Sequence, residues 1–385
     1  MIRTYQYRCY PTDEQQTSLN AILEMARWLY NRALDYRRKR WNESRYNVTY
    51  NEQAAMWRDW RNEQPEDNPL RLLNMSAGQQ VLRRLDKAYR EFLKGKRGKP
   101  RFKGHRFFNT VNYKPGDGAS VREDGSLYLQ NVGEISIKWH RPPPEGKLKN
   151  IILTRKPSGW YVAFQVECAD VEIEPSENPA VGIDVGIHHA LALSDGEIVD
   201  SPHYLKQSLK RLKRLQRKVA RRKKGSKRRE KAIAQLAKEH EHIANQRRDW
   251  WHKVTFWLVT TYGLIALEQL QLAFMLRNTN LARAAHDVSL GMFCDLLDYK
   301  AFQAGVQLVK VNPYNTSQRC SQCGNVAEKA LSVRVHDCPH CGFTADRDVN
   351  AALNILLLAV TSDGTHRSGA NVDPSVKRSL RSAPL

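Results

Sequence analysis

The chain has 385 residues, room for two or three domains, and its 62 lysines and arginines against 40 acids give a formal charge of +22. Such an excess calls for a polyanionic partner, and nucleic acid fits, because each phosphate neutralised releases condensed counterions. The longest apolar run, near Ile355–Val360, falls far short of the roughly 18–20 residues of a spanning helix, and the opening MIRTYQYRCY lacks an apolar signal core. A membrane partner is therefore excluded, and a cytoplasmic, nucleoid-associated protein is expected.

Residues Ile2–Tyr10 alternate and are rich in tyrosine, which predicts a strand ended by Pro11. From Asp13 the spacing becomes helical, with Leu19, Ile22, Leu23, Ala26, Leu29, Tyr30 and Ala33 on one stripe. A polar segment with Trp57 and Trp60 follows, then a third helix from about Ser76 that aligns Val81, Leu82, Leu85, Ala88, Tyr89 and Phe92. Basic residues Lys96, Arg97, Lys99, Arg101 and Lys103 crowd the loop beyond it. Between Asn109 and Glu172 the period falls to two. Turn signals at Asp124-Gly125, Asn131–Gly133, Pro142–Gly146 and Pro157–Gly159 separate strands such as Ile135–Trp139, Ile151–Thr154 and Trp160–Val166. That spacing suits a small β-barrel, which the first strand could join. Pro175–Pro179 reads as a linker.

After it, AVGIDVGIHHALALSDGEIVD gives a buried apolar strand ending at Asp184, then two more strands turning at Asp195-Gly196. Tyr204 to about Trp257 is expected to be helical. Within it, Lys206–Lys231 holds 15 basic residues against one acid, Glu230, with Leu205, Leu209, Leu212, Leu215 and Val219 as an apolar stripe. A charge run is often a solvated face. Self-repulsion this dense favours a nucleic-acid backbone, read by Lys206, Lys210, Arg211, Lys213, Arg214, Arg217, Lys218, Arg221, Arg222, Lys223 and Lys224. A further apolar strand, GLIALE, ends at Glu268; a helix near Val288–Ala304, a strand Val306–Val311 and a last helix Asn350–Val360 complete the pattern. The residues from Thr361 onward, rich in serine, glycine and arginine, are expected to be disordered.

Four of the seven cysteines crowd into 22 residues: Cys320-x2-Cys323, fourteen residues, Cys338-x2-Cys341. Two such knuckles, each followed by glycine (Gly324, Gly342), predict a closed four-thiolate site for one structural Zn2+. His336 and His340 lie close by, but four cysteines fill the site without them. Cys9, Cys168 and Cys294 are expected to be small buried apolar residues.

Asp184 and Glu268 each close an apolar strand, where an unpaired carboxylate is costly, so the two suggest a shared metal site at one rim of a sheet. Asp184 alone could equally be a turn residue. Asp346 and Asp348 both precede the last helix, and either could be its N-cap or a third acid. Three acids around two Mg2+ ions would suit phosphodiester hydrolysis.

The motifs YRCYPTDEQ, ARWLYNRAL, GKPRFKGHRF, GIDVGIHHALALSDG, LIALEQL, NTSQRCSQCG and HDCPHCGFTADRDVNAALNIL together resemble the TnpB family, transposon-encoded nucleases akin to CRISPR type V effectors. The resemblance covers nearly the whole chain. It implies an α/β multidomain architecture: an RNase H-like (RuvC) nuclease domain at 173–315 and 343–360, with the basic helical insertion at about 204–257 and a zinc ribbon inserted at 316–342. A β-barrel wedge domain would occupy 1–12 and 104–172, a helical recognition domain 13–103, and a disordered tail 361–385. It also implies Asp184, Glu268 and Asp348 as the catalytic acids, a guide RNA from the transposon end, a double-stranded DNA target beside a short motif, and a monomer. The other functions in play are a transposase or DNA-joining enzyme and a nuclease-inactive nucleic-acid-binding regulator.

Overall fold

The computed structural model describes residues 1–142, 145–169, 173–269, 282–330 and 333–363. It divides into two compact units, Met1–Val171 and Glu172–Leu385. The expected tail beyond Asp363 lies outside the described residues, as do the centre of the Pro142–Gly146 turn and the residues that follow Gln269.

In the first unit seven strands close into a barrel: β1 (Ile2–Tyr10), β2 (Thr110–Pro115), β3 (Gly118–Val121), β4 (Leu127–Leu129), β5 (Gly133–Lys138), β6 (Lys147–Lys156) and β7 (Gly159–Glu167). The N-terminal strand makes the closure, pairing with β7 along Ile2–Cys9 and with β5 through Arg8–Tyr10. Helix α1 (Asp13–Ser44) starts at a reciprocal capping box between Thr12 and Gln15, and α2 (Tyr50–Asn62) at another between Thr49 and Glu52. In α3 (Met75–Leu93), Gly78 leaves its side-chain position to the fully buried Trp57 ring. One apolar core joins the barrel interior to α1–α3. Of the scattered cysteines only Cys9 is buried; Cys168 and Cys294 are half-exposed, a correction to the expectation for all three.

The second unit is a five-stranded mixed sheet, ordered β10 (Ile198–Val199), β9 (Leu191–Leu193), β8 (Ala180–Val185), β11 (Leu264–Glu268), β12 (Gln307–Val311). Strands β8, β11 and β12 run parallel, and the β9–β10 hairpin is antiparallel to them. Parallel strands covered on both faces read as unbroken apolar runs, which is why AVGIDV and GLIALE stand out. On one face Val181, Ile183, Ile265 and Leu267 pack against α5 (Lys227–Thr261) and α7 (Leu290–Gln303). The opposite face belongs to α8 (Arg347–Asp363), whose Ile355 and Ala359 pack on Ala266 and Val311.

The long basic segment is not one helix, as its periodicity suggested. It is α4 (Tyr204–Ala220) followed by α5, packed together and separated by Arg221–Ser226, where Gly225 adopts φ +84. The residues before α7 likewise form a short separate helix, α6 (Ala282–Val288), because Ser289 turns left-handed at φ 60. Asp287 of α6 reaches back to α4, whose own N-cap residue, His203, makes no side-chain cap. Its carboxylate accepts the Leu205 and Lys206 amides at 2.8 and 3.0 Å and pairs with Arg247 at 3.2 Å.

Helix α8 lies directly on β8. A Cβ built on Gly182 would collide with the Ala352 carbonyl oxygen and lie 2.7 Å from the Leu356 amide nitrogen. Both are backbone atoms, so the helix would have to move as a body. Gly182→Ala should therefore destabilise the second unit by about 1–3 kcal/mol. Thermal unfolding of the variant checks this; an unchanged melting temperature would contradict the close approach.

Candidate functional site

Strand periodicity aims the first two acids. Gly182 and Ala266 are register partners on the α8 side of β8 and β11, and residues two positions on share their face. Asp184 and Glu268 follow the last paired residues, Ile183 and Leu267, so both carboxylates emerge together at the carboxyl ends of adjoining parallel strands, facing α8. Asp348 comes to them from the first turn of α8. It shares a stripe with Ala352, Ile355 and Ala359, the positions at i+4, i+7 and i+11 that are fully buried toward the sheet.

Asp346 does something else. Its Oδ1 accepts the amides of Asp348 at 2.8 Å and Val349 at 3.2 Å, which makes it the N-terminal cap of α8. The two readings of this Asp pair are thereby separated: one caps, and the other faces the strands.

The electrostatics record how close the three acids are. Asp184 stays partly accessible at the rim, yet the atoms around its carboxyl strip away hydration, and the charges of Glu268 and Asp348 add repulsion. Its pKa is pushed up from 3.8 to about 8, with only small relief from the Val185 amide and from Arg347. Glu268 is also raised by burial, against a hydrogen bond donated by Thr316 Oγ1 to its Oε1. Oxygen-only acids crowded until one takes up a proton form a donor set suited to a hard divalent cation such as Mg2+.

Sequence reasoning missed the residues that hold this arrangement. Thr316 is buried, and its carbonyl accepts from Asn354 Nδ2 at 2.9 Å. Asn354 also reaches the Arg319 carbonyl at 2.7 Å, which Asn350 Nδ2 meets at 2.8 Å, while Asn350 Oδ1 accepts the Ser321 amide at 3.0 Å. Arg347 donates to the carbonyls of Ala330 and Val333 at 2.8 and 3.2 Å. These are buried polar side chains on an apolar helix; the asparagines find their partners at the entrance to the cysteine module, and Arg347 finds its partners between the two knuckles. Two asparagines four apart inside an alanine- and leucine-rich run were the available signal.

In that module the Sγ atoms of Cys320 and Cys341 lie 3.7 Å apart and those of Cys323 and Cys338 3.6 Å, and all four sulfurs lie within 4.8 Å of one another. A tetrahedral zinc with Zn–S bonds of about 2.3 Å needs sulfur edges of about 3.8 Å, so these residues fit the ion. The knuckles match each other. Gly324 and Gly342 take φ +79 and +73 and donate to the carbonyls of Cys320 and Cys338, both at 2.9 Å. The amides of Gln322 and Cys323 face the Cys320 sulfur, and those of Cys341 and His340 face the Cys338 sulfur. A short hairpin, β13 (Val335–Asp337) with β14 (Thr344–Asp346), leads from the module into α8.

The basic candidates fall into two groups, described separately. On α4 and the turn after it, Lys206, Lys210, Arg211, Lys213, Arg214, Arg217, Lys218, Arg221, Arg222, Lys223 and Lys224 are all exposed, and only Leu212 of that helix is fully buried. Arg214, Arg217, Lys218, Arg221 and Arg222 line one open depression of about 530 Å³. Arg211 is held at 2.9 Å by the buried Glu239 of α5, and Lys218 at 2.9 Å by Gln235. In the first unit Lys96, Arg97, Lys99 and Arg101 are exposed after α3; Arg97 pairs with Glu91 at 2.9 Å, and Lys103 is half-buried.

Two outcomes follow. Between about pH 4 and pH 8 folded Asp184 keeps a proton that the unfolded chain has released, so its contribution to stability is lost as pH rises through that window. Zinc-loaded protein without added Mg2+ should lose melting temperature across it, and Asp184→Asn should flatten the loss; equal slopes for both would contradict the crowding. Cys338→Ser should release the zinc and destabilise the module, because thiolate ligation is folding energy. Metal analysis and thiol alkylation check this; four alkylatable thiols and no zinc in the wild type would overturn the site.

Three family models match the chain. The "Cas12f1-like, TNB domain" model covers residues 291–355, the IS605 OrfB model described as "Probable transposase" covers 163–279, and a "Helix-turn-helix domain" model covers 1–45. Over that last stretch the chain forms β1 and the single long helix α1. A Streptomyces pristinaespiralis protein named as an RNA-guided DNA endonuclease is 34% identical over 92% of this chain and 88% of its own length. InsQ of Escherichia coli K12, named likewise, is 28% identical over 92% of each. The solved Cas12f1–sgRNA–target DNA complex matches 92% of this chain and 98% of the Cas12f1 chain with a TM-score of 0.58 at 14% identity, a likeness of fold. Alignment this extensive settles the relationship: the chain belongs to the TnpB family of IS605-type, transposon-associated RNA-guided endonucleases.

Proposed function

We propose that this chain cuts DNA under the direction of a bound RNA, using Asp184, Glu268 and Asp348 as a single RuvC-like active site. The observation that carries the reading is the convergence of those three carboxylates at one rim, where burial, and then the charges of Glu268 and Asp348, push Asp184 up to about 8. Full-length relatives named as RNA-guided DNA endonucleases support the reaction class. Bound among these oxygens, two Mg2+ ions would supply the Lewis acidity that phosphodiester hydrolysis needs at the attacking water and the leaving oxygen.

The chain's own contributions are positional and electrostatic. Strand ends fix Asp184 and Glu268, Thr316 orients Glu268, and the first turn of α8, capped by Asp346, presents Asp348. The exposed bases of α4 and the following turn suit phosphate backbones and the A-form shape of an RNA–DNA duplex. On the same reading the barrel is the wedge domain, α1–α3 are the recognition domain, and the target lies beside a short motif. The guide derives from the transposon end, and the protein acts as a monomer in the cytoplasm. Among the described residues no helix is long and apolar enough to cross a membrane. A DNA-joining enzyme and a nuclease-inactive regulator are not favoured, since the full-length relatives are named endonucleases and all three acids are present.

Asp348→Asn keeps the shape but removes the charge, so guided cleavage should fall by orders of magnitude while binding to target persists. Asp346→Asn keeps an oxygen that can cap α8 and should cost little stability, with cutting retained. Cleavage assays on the two variants decide the matter. A cutting Asp348→Asn beside an inert Asp346→Asn would reverse the assignment.

A further inference from the structure

At the edge of the three acids lies a second donor set, of which the reaction uses only Asp348. After β8 the chain turns back at once: the Gly186 amide donates to the Ala190 carbonyl at 3.3 Å, and a Cβ on Gly186 would stand 2.9 Å from the His189 carbonyl oxygen. Only glycine allows a turn that tight without displacing backbone. It brings His188 and His189 together, ring centroids 4.3 Å apart and planes at 80°. A donor atom from each imidazole and one from Asp348 lie within 4.8 Å of one another.

A second observation orients one of these rings. Asp200, just beyond β10, sits 2.6 Å from His189 Nδ1. A carboxylate there accepts a hydrogen bond from Nδ1–H, favouring the tautomer in which Nε2 carries a free lone pair. Metal-binding histidines use the same outer-shell contact. Two imidazole nitrogens and one carboxylate differ in kind from the oxygen-only set next to them. Imidazole suits borderline transition metals, whereas Mg2+ prefers carboxylate, carbonyl and water.

We propose that His188, His189 and Asp348 form a distinct site for a borderline divalent transition metal, of the class of Ni2+, Co2+ or Zn2+, at the edge of the carboxylate cluster. It stands apart from the nuclease reading and shares only Asp348 with it. A cation held there would draw on the same carboxylate as the reaction, so loading of this site would couple transition-metal supply to the state of the active site.

The test uses the full zinc-loaded chain carrying Asp184→Asn and Glu268→Gln, so that the oxygen-only set is disabled, with Ni2+ as the probe and no RNA or DNA. Calorimetry should find one Ni2+ per chain, held in a large excess of Mg2+. Adding His188→Ala and His189→Ala should weaken it at least about 10-fold, and adding Asp200→Asn alone by about 10-fold, through the ring it orients. Circular dichroism shows that each variant is folded. Affinity unchanged by the histidine pair, unchanged by Asp200→Asn, or abolished by Mg2+ overturns the site. Because no cleavage is measured and two catalytic acids are neutralised, failure here leaves the endonuclease reading intact, and failure of that reading leaves this result standing.

Discussion

A backbone carbonyl of α8 rests where a side chain of β8 would be, and the geometry of the candidate active site depends on that contact. Because Gly182 has no Cβ and its neighbour Ala266 only a methyl, the helix settles onto the sheet itself. Two residues along each strand, the same face carries Asp184 and Glu268; one turn back along the helix it carries Asp348. Three acids distant in sequence thus meet because two strand periods and one helical period coincide at a single close approach. A bulkier residue at 182 would move the third acid away from the first two before it disturbed either strand.

The site so formed is costly without a counter-charge. Burial, and then the charges of Glu268 and Asp348, push the Asp184 carboxyl up to about 8, and Glu268 is raised by burial as well. Arg347, a cation that relieves Asp184, gives hydrogen bonds to the Ala330 and Val333 carbonyls and to Ser317. The cysteine module is bound into the same construction. Asn350 and Asn354 fasten its entering segment to α8, Arg347 fastens the stretch between its knuckles, and Thr316, held by Asn354, donates to Glu268. Zinc held by the four cysteines would therefore stabilise the segment that carries Thr316 and the start of α8.

Much of this was legible in the sequence, and the limits have physical causes. Asp184 alone had an equally good reading as a turn residue; it stood out because Glu268 repeats the arrangement, a charge at the end of an apolar run. The four cysteines were visible because knuckle spacing is set by the reach of two thiolates to one ion. Asp348 was harder: beside Asp346 it looks like one of two caps, and only the stripe it shares with Ala352, Ile355 and Ala359 tells them apart. The break between α4 and α5 was hidden by continuous basicity, since a lone glycine in a charged run lowers helix stability without forbidding it. The first strand was expected to be able to join the barrel, but its partners β5 and β7, the Asp287 cap and the asparagine clamps join residues far apart in the chain, and no local pattern encodes such partners.

The central claim is that a bound RNA chooses where the three carboxylates cut. It is tested most directly by purifying the protein from cells that carry its own locus, sequencing the RNA that accompanies it, and then rewriting that RNA's guide segment. Reconstituted with the rewritten RNA and Mg2+, the protein should cut DNA matching the new guide and spare the old target. Cutting at the original sequence whatever the RNA, or cutting with no RNA at all, would contradict the account.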